Sequence, residues 1–186
     1  MIDEQKLVRR AQLDRAHFGR IYDLYIDRIY RYTLRILQDD AAAQDATAIT
    51  FEKALRNIGR YKPKDGIGFS AWIYAIARNE AHNQRRKQRW LTPINRLVGR
   101  RSEFNVEAVV QDAERYQQLY AILNQLRPID RDLIVLRKLE GFSAEEVATI
   151  LNISKRNVYV RLSRAMDRLR VLLEAAASTE VEPHVS

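Results

Sequence analysis

The chain has no cysteine and only six glycines and four prolines among its 186 residues. Without thiols it can build no disulfide scaffold, thiolate nucleophile or Cys-ligated zinc or iron–sulfur site. The longest uninterrupted apolar run, Ala71 to Ala77, has seven residues, against the roughly 20 that span a bilayer, so no membrane insertion is expected. The opening Met-Ile-Asp-Glu-Gln-Lys carries acids and no apolar stretch, which predicts no secretory signal. No Gly-rich loop ends in Lys-Ser/Thr, and Gly-x-Ser-x-Gly does not occur. His17, His82 and His184 lack metal-ligand spacing, and the carboxylates are scattered, often one helical turn from an arginine. These absences predict a cytoplasmic protein with no catalytic residues, metal or cofactor, one that is not an enzyme.

What is present is positive charge, unevenly placed. Hydrophobic residues make up 46% of the chain, enough for a core, and the net charge is +8. Residues 1–59 carry a net +1, residues 60–101 a net +9, and residues 102–186 a net −2. Within the last third, Ser154 to Arg170 still carries six bases and one acid. Two separated basic segments on a nearly neutral background point to a polyanion met at two places. The plainer alternative for either segment alone is a solvated helix face.

The pattern is helical almost throughout, and no segment alternates with period two. Phe18, Ile21, Tyr22, Tyr25, Ile29, Tyr32, Thr33 and Ile36 follow the i, i+3, i+4, i+7 spacing of an amphipathic helix. A second helix is expected over roughly 41–58, with Thr47, Phe51, Ala54, Leu55 and Ile58 on one face. Gly59 to Gly68 then has the Pro and Gly punctuation of a loop. Helicity resumes near Ser70, a candidate N-cap, burying Trp72, Ile73, Ile76 and Ala77. The expectation is an all-α fold of two small helical domains, 1–90 and 107–175, joined by a linker over 91–106 and followed by a flexible tail over 176–186. In the second domain Tyr116, Leu119, Tyr120, Leu123 and Leu126 mark one helix stopping before Pro128. Leu133, Ile134, Leu136 and Leu139 mark another, ended by Gly141.

The sharpest local signal runs from Ser143 to Leu173. Ser143 with Glu146 makes a capping box for a short helix. Asn152-Ile153 supplies a tight turn in which Asn tolerates left-handed backbone. Ser154 caps a longer basic helix that buries Val158, Leu162, Ala165, Met166, Leu169 and Leu172. Short helix, tight turn and longer helix describe a helix-turn-helix. The spacing leaves Lys155, Arg156, Asn157, Tyr159, Arg161 and Arg164 off the buried stripe, where a recognition helix meets the major groove. Lys and Arg can bond guanine O6 and N7, and Asn can bond adenine N6 and N7. The competing reading is a helical hairpin with a basic face.

A second constellation lies between Arg60 and Arg89. Aromatic rings beside basic side chains suit single strands, where bases stack and phosphates meet cations. Its candidates are Lys62, Lys64, Phe69, Tyr74, Arg78, Asn79, His82, Arg85 and Arg86. Trp72 reads as core, and the Gly66-Ile67-Gly68 turn would serve equally well as a simple chain reversal. On residue types alone the two readings are evenly matched.

Taken together, these features resemble the extracytoplasmic-function (ECF) sigma factors of the bacterial sigma-70 family. Phe51-Glu-Lys-Ala-Leu55, Gly68-Phe-Ser-Ala-Trp-Ile73 and Ile76-Ala-Arg-Asn79 are similar to that family's region 2. Leu133-Ile-Val-Leu-Arg137, Leu139-Glu-Gly-Phe-Ser143, Glu146-Val-Ala148, Arg161-Leu-Ser-Arg-Ala165 and Arg168-Leu-Arg170 are similar to its region 4. The resemblance covers about 17–90 and 113–173.

The resemblance implies a dissociable RNA polymerase subunit that directs promoter recognition and transcription initiation. Region 2 would bind the β′ clamp helices and read the −10 element as it opens, and region 4 would bind the β-flap and read the −35 duplex. The linker would pass through the polymerase near its active-site and RNA-exit channels. Core RNA polymerase, promoter DNA and an anti-sigma factor are the implied partners, and self-association is not required. The polymerase-binding face implied just before and around Phe51 contains Asp45, Ala48, Ile49 and Glu52. Where the family commonly has Gln and Glu, this chain has Ala48 and Ile49, so the face is partly apolar. Two other readings use the same residues: a DNA-binding regulator whose N-terminal domain binds partners, and a single-strand binding protein relying on the 60–90 segment.

Overall fold

The computed structural model describes residues 4–64, 66–95 and 119–179, with side chains described for all of these except 89–95 and 178–179. Tyr116, most of the expected linker and the end of the expected tail fall outside them. The described residues form helices and turns without a β-strand, and the chain divides into two compact units.

The first unit begins with α1 (Glu4–Leu13) and a short 3-10 turn (Arg15–Phe18), followed by α2 (Gly19–Leu37), α3 (Asp40–Asn57), a second 3-10 turn (Ile58–Arg60) and α4 (Phe69–Asn95). Helix α2 stops where Gln38 turns left-handed (φ 53°) and donates its N–H to Leu34 O. Asp39 then caps α3 by accepting from Ala42 N at 2.8 Å. The Tyr30 hydroxyl donates to Asp40 Oδ1, tying α2 to the start of α3. That bond to a carboxylate, with burial and Asp40's charge, pushes the phenol up to about 12.

Large side chains of α2 (Ile21, Tyr25, Ile29, Tyr32, Ile36) pack against small ones of α3 (Ala43, Ala46, Ala54) and a mixed face of α4 (Phe69, Ala71, Ile73, Tyr74, Ala77, Ala81). The buried threonine hydroxyls are satisfied locally, as burial requires. Thr33 Oγ1 meets Thr47 Oγ1 at 2.9 Å, Thr47 donates to Ala43 O and Thr50 to Ala46 O.

Several expectations are corrected here. Leu55 lies on the outer flank of α3 and is exposed. Tyr22 is also exposed, although its ring lies 4.8 Å from that of Phe51. Trp72 and Ile76 are half-buried, not core. Ser70 is not the N-cap, because α4 already begins at Phe69. The helix also runs five residues beyond the expected domain boundary at 90, through Pro93. A helix already anchored by buried residues extends at little cost through good helix formers such as Arg85 to Gln88.

The second unit holds α5 (helical residues 119–123), α6 (Pro128–Ile134), a π-helical turn (Val135–Leu139), α7 (Ala144–Leu151) and α8 (Lys155–Thr179). Pro128 opens α6 at its first position, where a missing N–H costs nothing. Tyr120, Ile122, Leu123, Leu126, Ile134, Ala165 and Leu169 form the core cluster, with Leu162, Met166, Leu172 and Ala176 packed against it. Leu139, expected in the core, is exposed. The Glu140 N–H reaches back five residues to Val135 O at 3.0 Å, and this wider turn rotates Leu139 out of the 3.6-residue stripe. Gly141 then takes φ 77°, as its sequence position predicted. Helix α8 carries on through Glu174-Ala-Ala-Ala177 to Thr179, into the first residues of the tail expected to be flexible. Alanine has the highest helix propensity, and Ala176 still meets the core.

Candidate nucleic-acid interface

In the second unit each expected local device is present. Ser143 Oγ accepts from Glu146 N (3.2 Å), and Glu146 Oε2 accepts from Ser143 N (2.8 Å), closing the capping box of α7. Asn152 turns left-handed at φ 53°, ψ 49°, and Ile153 N donates to Ala148 O at 3.0 Å. Ser154 Oγ accepts from Asn157 N at 3.2 Å, starting α8. Val158 is buried against the unit, which fixes the rotation of α8 and turns Arg156, Asn157, Tyr159 and Arg164 outward. Tyr159 is 54% exposed.

Two of the six expected DNA contacts are engaged within the protein. Lys155 forms an ion pair with Glu145 of α7. The hydrogen bond between them holds the Glu145 carboxyl below its usual range and raises the Lys155 ammonium above its own, so both are charged at neutral pH. Arg161 is half-buried, with Nη1 3.6 Å from Asp130 Oδ1 on α6. The other Asp130 oxygen accepts from Arg127 Nε at 2.7 Å.

Beside it lies a polar cluster that the sequence reading did not single out. Asp130, Arg131 and Asp132 are all buried in α6, and Arg131 Nη1 donates to Asn124 Oδ1 at 2.6 Å. Sequence shows only an ordinary run of alternating charges there; Pro128 opening a helix that packs under α8 is what turns it inward.

In the first unit the expected single-strand site is only partly assembled. Lys62 and Lys64 are exposed on the loop before α4, and Asn79 and Arg86 are exposed along α4. Arg78, His82 and Arg85 are half-buried, with Arg85 Nη1 3.5 Å from Ile36 O. Phe69 and Tyr74 are corrected as stacking platforms: they are 2% and 0% exposed. Tyr74 packs its ring 5.1 Å from that of Tyr32, and Phe69 sits 5.8 Å from Tyr25. They follow the core face of α4, and a 3.6-residue stripe outweighs residue type in deciding burial. The half-buried aromatics flanking the loop are instead Tyr61 and Trp72, with rings 5.4 Å apart.

A further pairing went unnoticed in the sequence. Glu80, one of only two acids among residues 60–101, is buried and accepts from Lys53 Nζ of α3 at 2.5 Å. A rare carboxylate within so basic a stretch was the available signal.

On α3, Asp45, Ala48 and Glu52 are exposed and Ile49 is half-buried, on the side turned away from the inward-facing Thr47, Thr50 and Ala54. Glu52 pairs with Arg56 one turn on. Among the described residues no group of three or more His, Asp or Glu is placed to hold a metal ion, and no helix is long and apolar enough to cross a membrane.

A helical unit carrying a basic loop and a second unit built around a helix-turn-helix define a two-part DNA-binding protein. Residues 21–91 match the family model described as Sigma-70 region 2, and residues 116–169 match Sigma-70, region 4. The chain is 30% identical over 156 residues to RNA polymerase sigma factor CarQ of Myxococcus xanthus, covering 84% of this chain and 88% of CarQ. It is 33% identical over 172 residues to the ECF RNA polymerase sigma factor BldN of Streptomyces coelicolor, covering 90% of this chain but 65% of BldN. Among solved structures it resembles the sigma factor RpoE of Bartonella quintana, seen in complex with the anti-sigma factor NepR. That similarity has a TM-score of 0.67 at 25% identity, over 84% of this chain and 96% of RpoE. The chain belongs to the ECF sigma factors of the sigma-70 family.

Proposed function

We propose that the chain acts as a dissociable specificity subunit of bacterial core RNA polymerase, directing it to promoters by reading two DNA elements. The observation that carries this reading is the α7–α8 helix-turn-helix, whose capped and buried frame turns Arg156, Asn157, Tyr159 and Arg164 outward. These side chains suit the −35 duplex. The loop around Lys62 and Lys64, with Asn79 and Arg86 of α4, suits the −10 element as it opens. The outer face of α3, Asp45, Ala48, Ile49 and Glu52, suits the β′ clamp helices, and the second unit would also meet the β-flap. Its action is binding, not catalysis, and its compartment the cytoplasm. The RpoE–NepR complex supports an anti-sigma factor as a further partner. Run-off transcription with core polymerase tests the reading: promoter-dependent initiation is expected only when the chain is added. DNA binding without initiation would make it a regulator that kept the helix-turn-helix alone.

A further inference from the structure

Helix α1 lies ahead of the residues that match region 2, yet it is fastened to the loop that follows α3. The half-buried Gln12 side-chain amide donates to Ile58 O at 3.1 Å and to Tyr61 O at 2.7 Å. A primary amide has two N–H bonds, so both carbonyls can be held at once. Ile58 and Tyr61 bracket the 3-10 turn by which the chain leaves α3, and Tyr61 N itself donates to Ile58 O at 3.1 Å. Gln12 thus clamps the place where the loop begins.

At the far end of the loop the same helix packs close to Gly68. Glu4 Oε1 accepts from the Tyr25 hydroxyl, and its second oxygen stands over Gly68. A Cβ at Gly68 would lie 3.3 Å from Glu4 Oε2 and 3.2 Å from Ser70 Oγ, tighter than side chains ordinarily pack. Between these two places Lys62, Pro63, Lys64 and Gly66 are exposed, and Ile67 N donates to Lys64 O at 3.0 Å. Gly66 permits that turn with φ 71°.

We propose that Gln12 is a positioning residue for promoter recognition. Helix α1 fastens the start of the loop through Gln12 and packs close to its end at Gly68, so Lys62 and Lys64 meet the opened −10 strand already positioned. A loop ordered in advance does not lose that conformational freedom on binding. This rests on the −10 reading of the loop proposed above.

The test uses the full chain with core polymerase and two variants. Gln12→Glu is isosteric but sets a carboxylate against two carbonyls; Gln12→Ala removes the donors without adding charge. Three quantities are read: amide hydrogen exchange over 58–68, discrimination among −10 sequences by a fluorescent base analogue in the opening strand, and affinity for the −35 duplex. Both variants should exchange faster over 58–68 and lose −10 discrimination, each by about five- to thirtyfold, as one to two net hydrogen bonds would give. The −35 affinity should not move. Wild-type exchange over 58–68 would overturn the brace, and faster exchange spread equally over α2 and α3 would reduce Gln12 to a general stability residue. Exchanging residues 62–67 separates the two levels. If that abolishes −10 discrimination while both Gln12 variants keep it, the positioning role fails; if it too leaves discrimination intact, the −10 reading itself fails.

Discussion

Asp130 of α6 and Arg161 of α8 face one another across the base of the helix-turn-helix, Oδ1 to Nη1 at 3.6 Å. The carboxylate is buried and the guanidinium half-exposed, so the arginine is tethered at one side while its remaining N–H groups can reach DNA. Arg161→Ala should therefore lower both stability and DNA affinity. The stability loss should be about 1 kcal/mol, because the pair is partly solvated and Arg127 still holds Asp130. Urea unfolding and fluorescence anisotropy on the same samples check the pairing of effects.

Arg156 and Asn157 carry no such tether and should behave differently. Arg156→Ala or Asn157→Ala should leave the urea midpoint unchanged and alter base preference at the −35 element, by about 1–3 kcal/mol per lost bidentate contact. Arg164, further along α8, should weaken all sequences alike when replaced by Ala, as a phosphate contact does. Equal losses on every −35 variant for all three would remove the assignment.

The Glu145–Lys155 pair predicts a gain of function. With the Glu145 carboxyl lowered and the Lys155 ammonium raised by their mutual bond, the pair persists at neutral pH. It is lost as pH falls through the lowered carboxyl value or rises through the raised ammonium value. Glu145→Gln releases the lysine, so duplex affinity at pH 7 should rise. If Lys155 then meets a phosphate, the log–log salt slope should steepen by about 0.9. Anisotropy titrations between low and moderate salt measure both.

On α3 the expectation concerns polymerase. Ile49→Lys or Asp45→Arg should abolish pull-down of core enzyme while leaving the helical circular dichroism signal intact, since neither side chain is fully buried. Unimpaired binding by both variants would place the polymerase contact elsewhere.

The second unit was the more legible of the two in sequence because its signals are local. Ser143, Glu146, Asn152 and Ser154 each act within four residues of themselves, and each does what its type and spacing predicted. The first unit depends on long-range placement. Phe69 and Tyr74 look like exposed rings in a basic segment, and only the docking of α4 against α2 shows them to be core. Leu139 was misplaced because one wide turn breaks the period on which the pattern rests. Gln12 carried no signal at all, since its two acceptors are backbone carbonyls 46 and 49 residues away.

Helix α3 lies against its neighbours through Ala42, Ala43 and Ala46, with Thr47 and Thr50 bonded back onto their own helix. These small residues sit against the large, close-packed side chains of α2, so there is little free volume on this side of the helix to absorb an added group. Added volume on the hidden side must be taken up by off-rotamer side chains or backbone shifts, and a backbone shift of α3 would move Asp45, Ala48 and Glu52 with it. The fit of the outer face to a partner is therefore adjustable from behind, by residues the partner never touches. On the proposed polymerase face, affinity can then drift through substitutions that leave every side chain of that face unaltered.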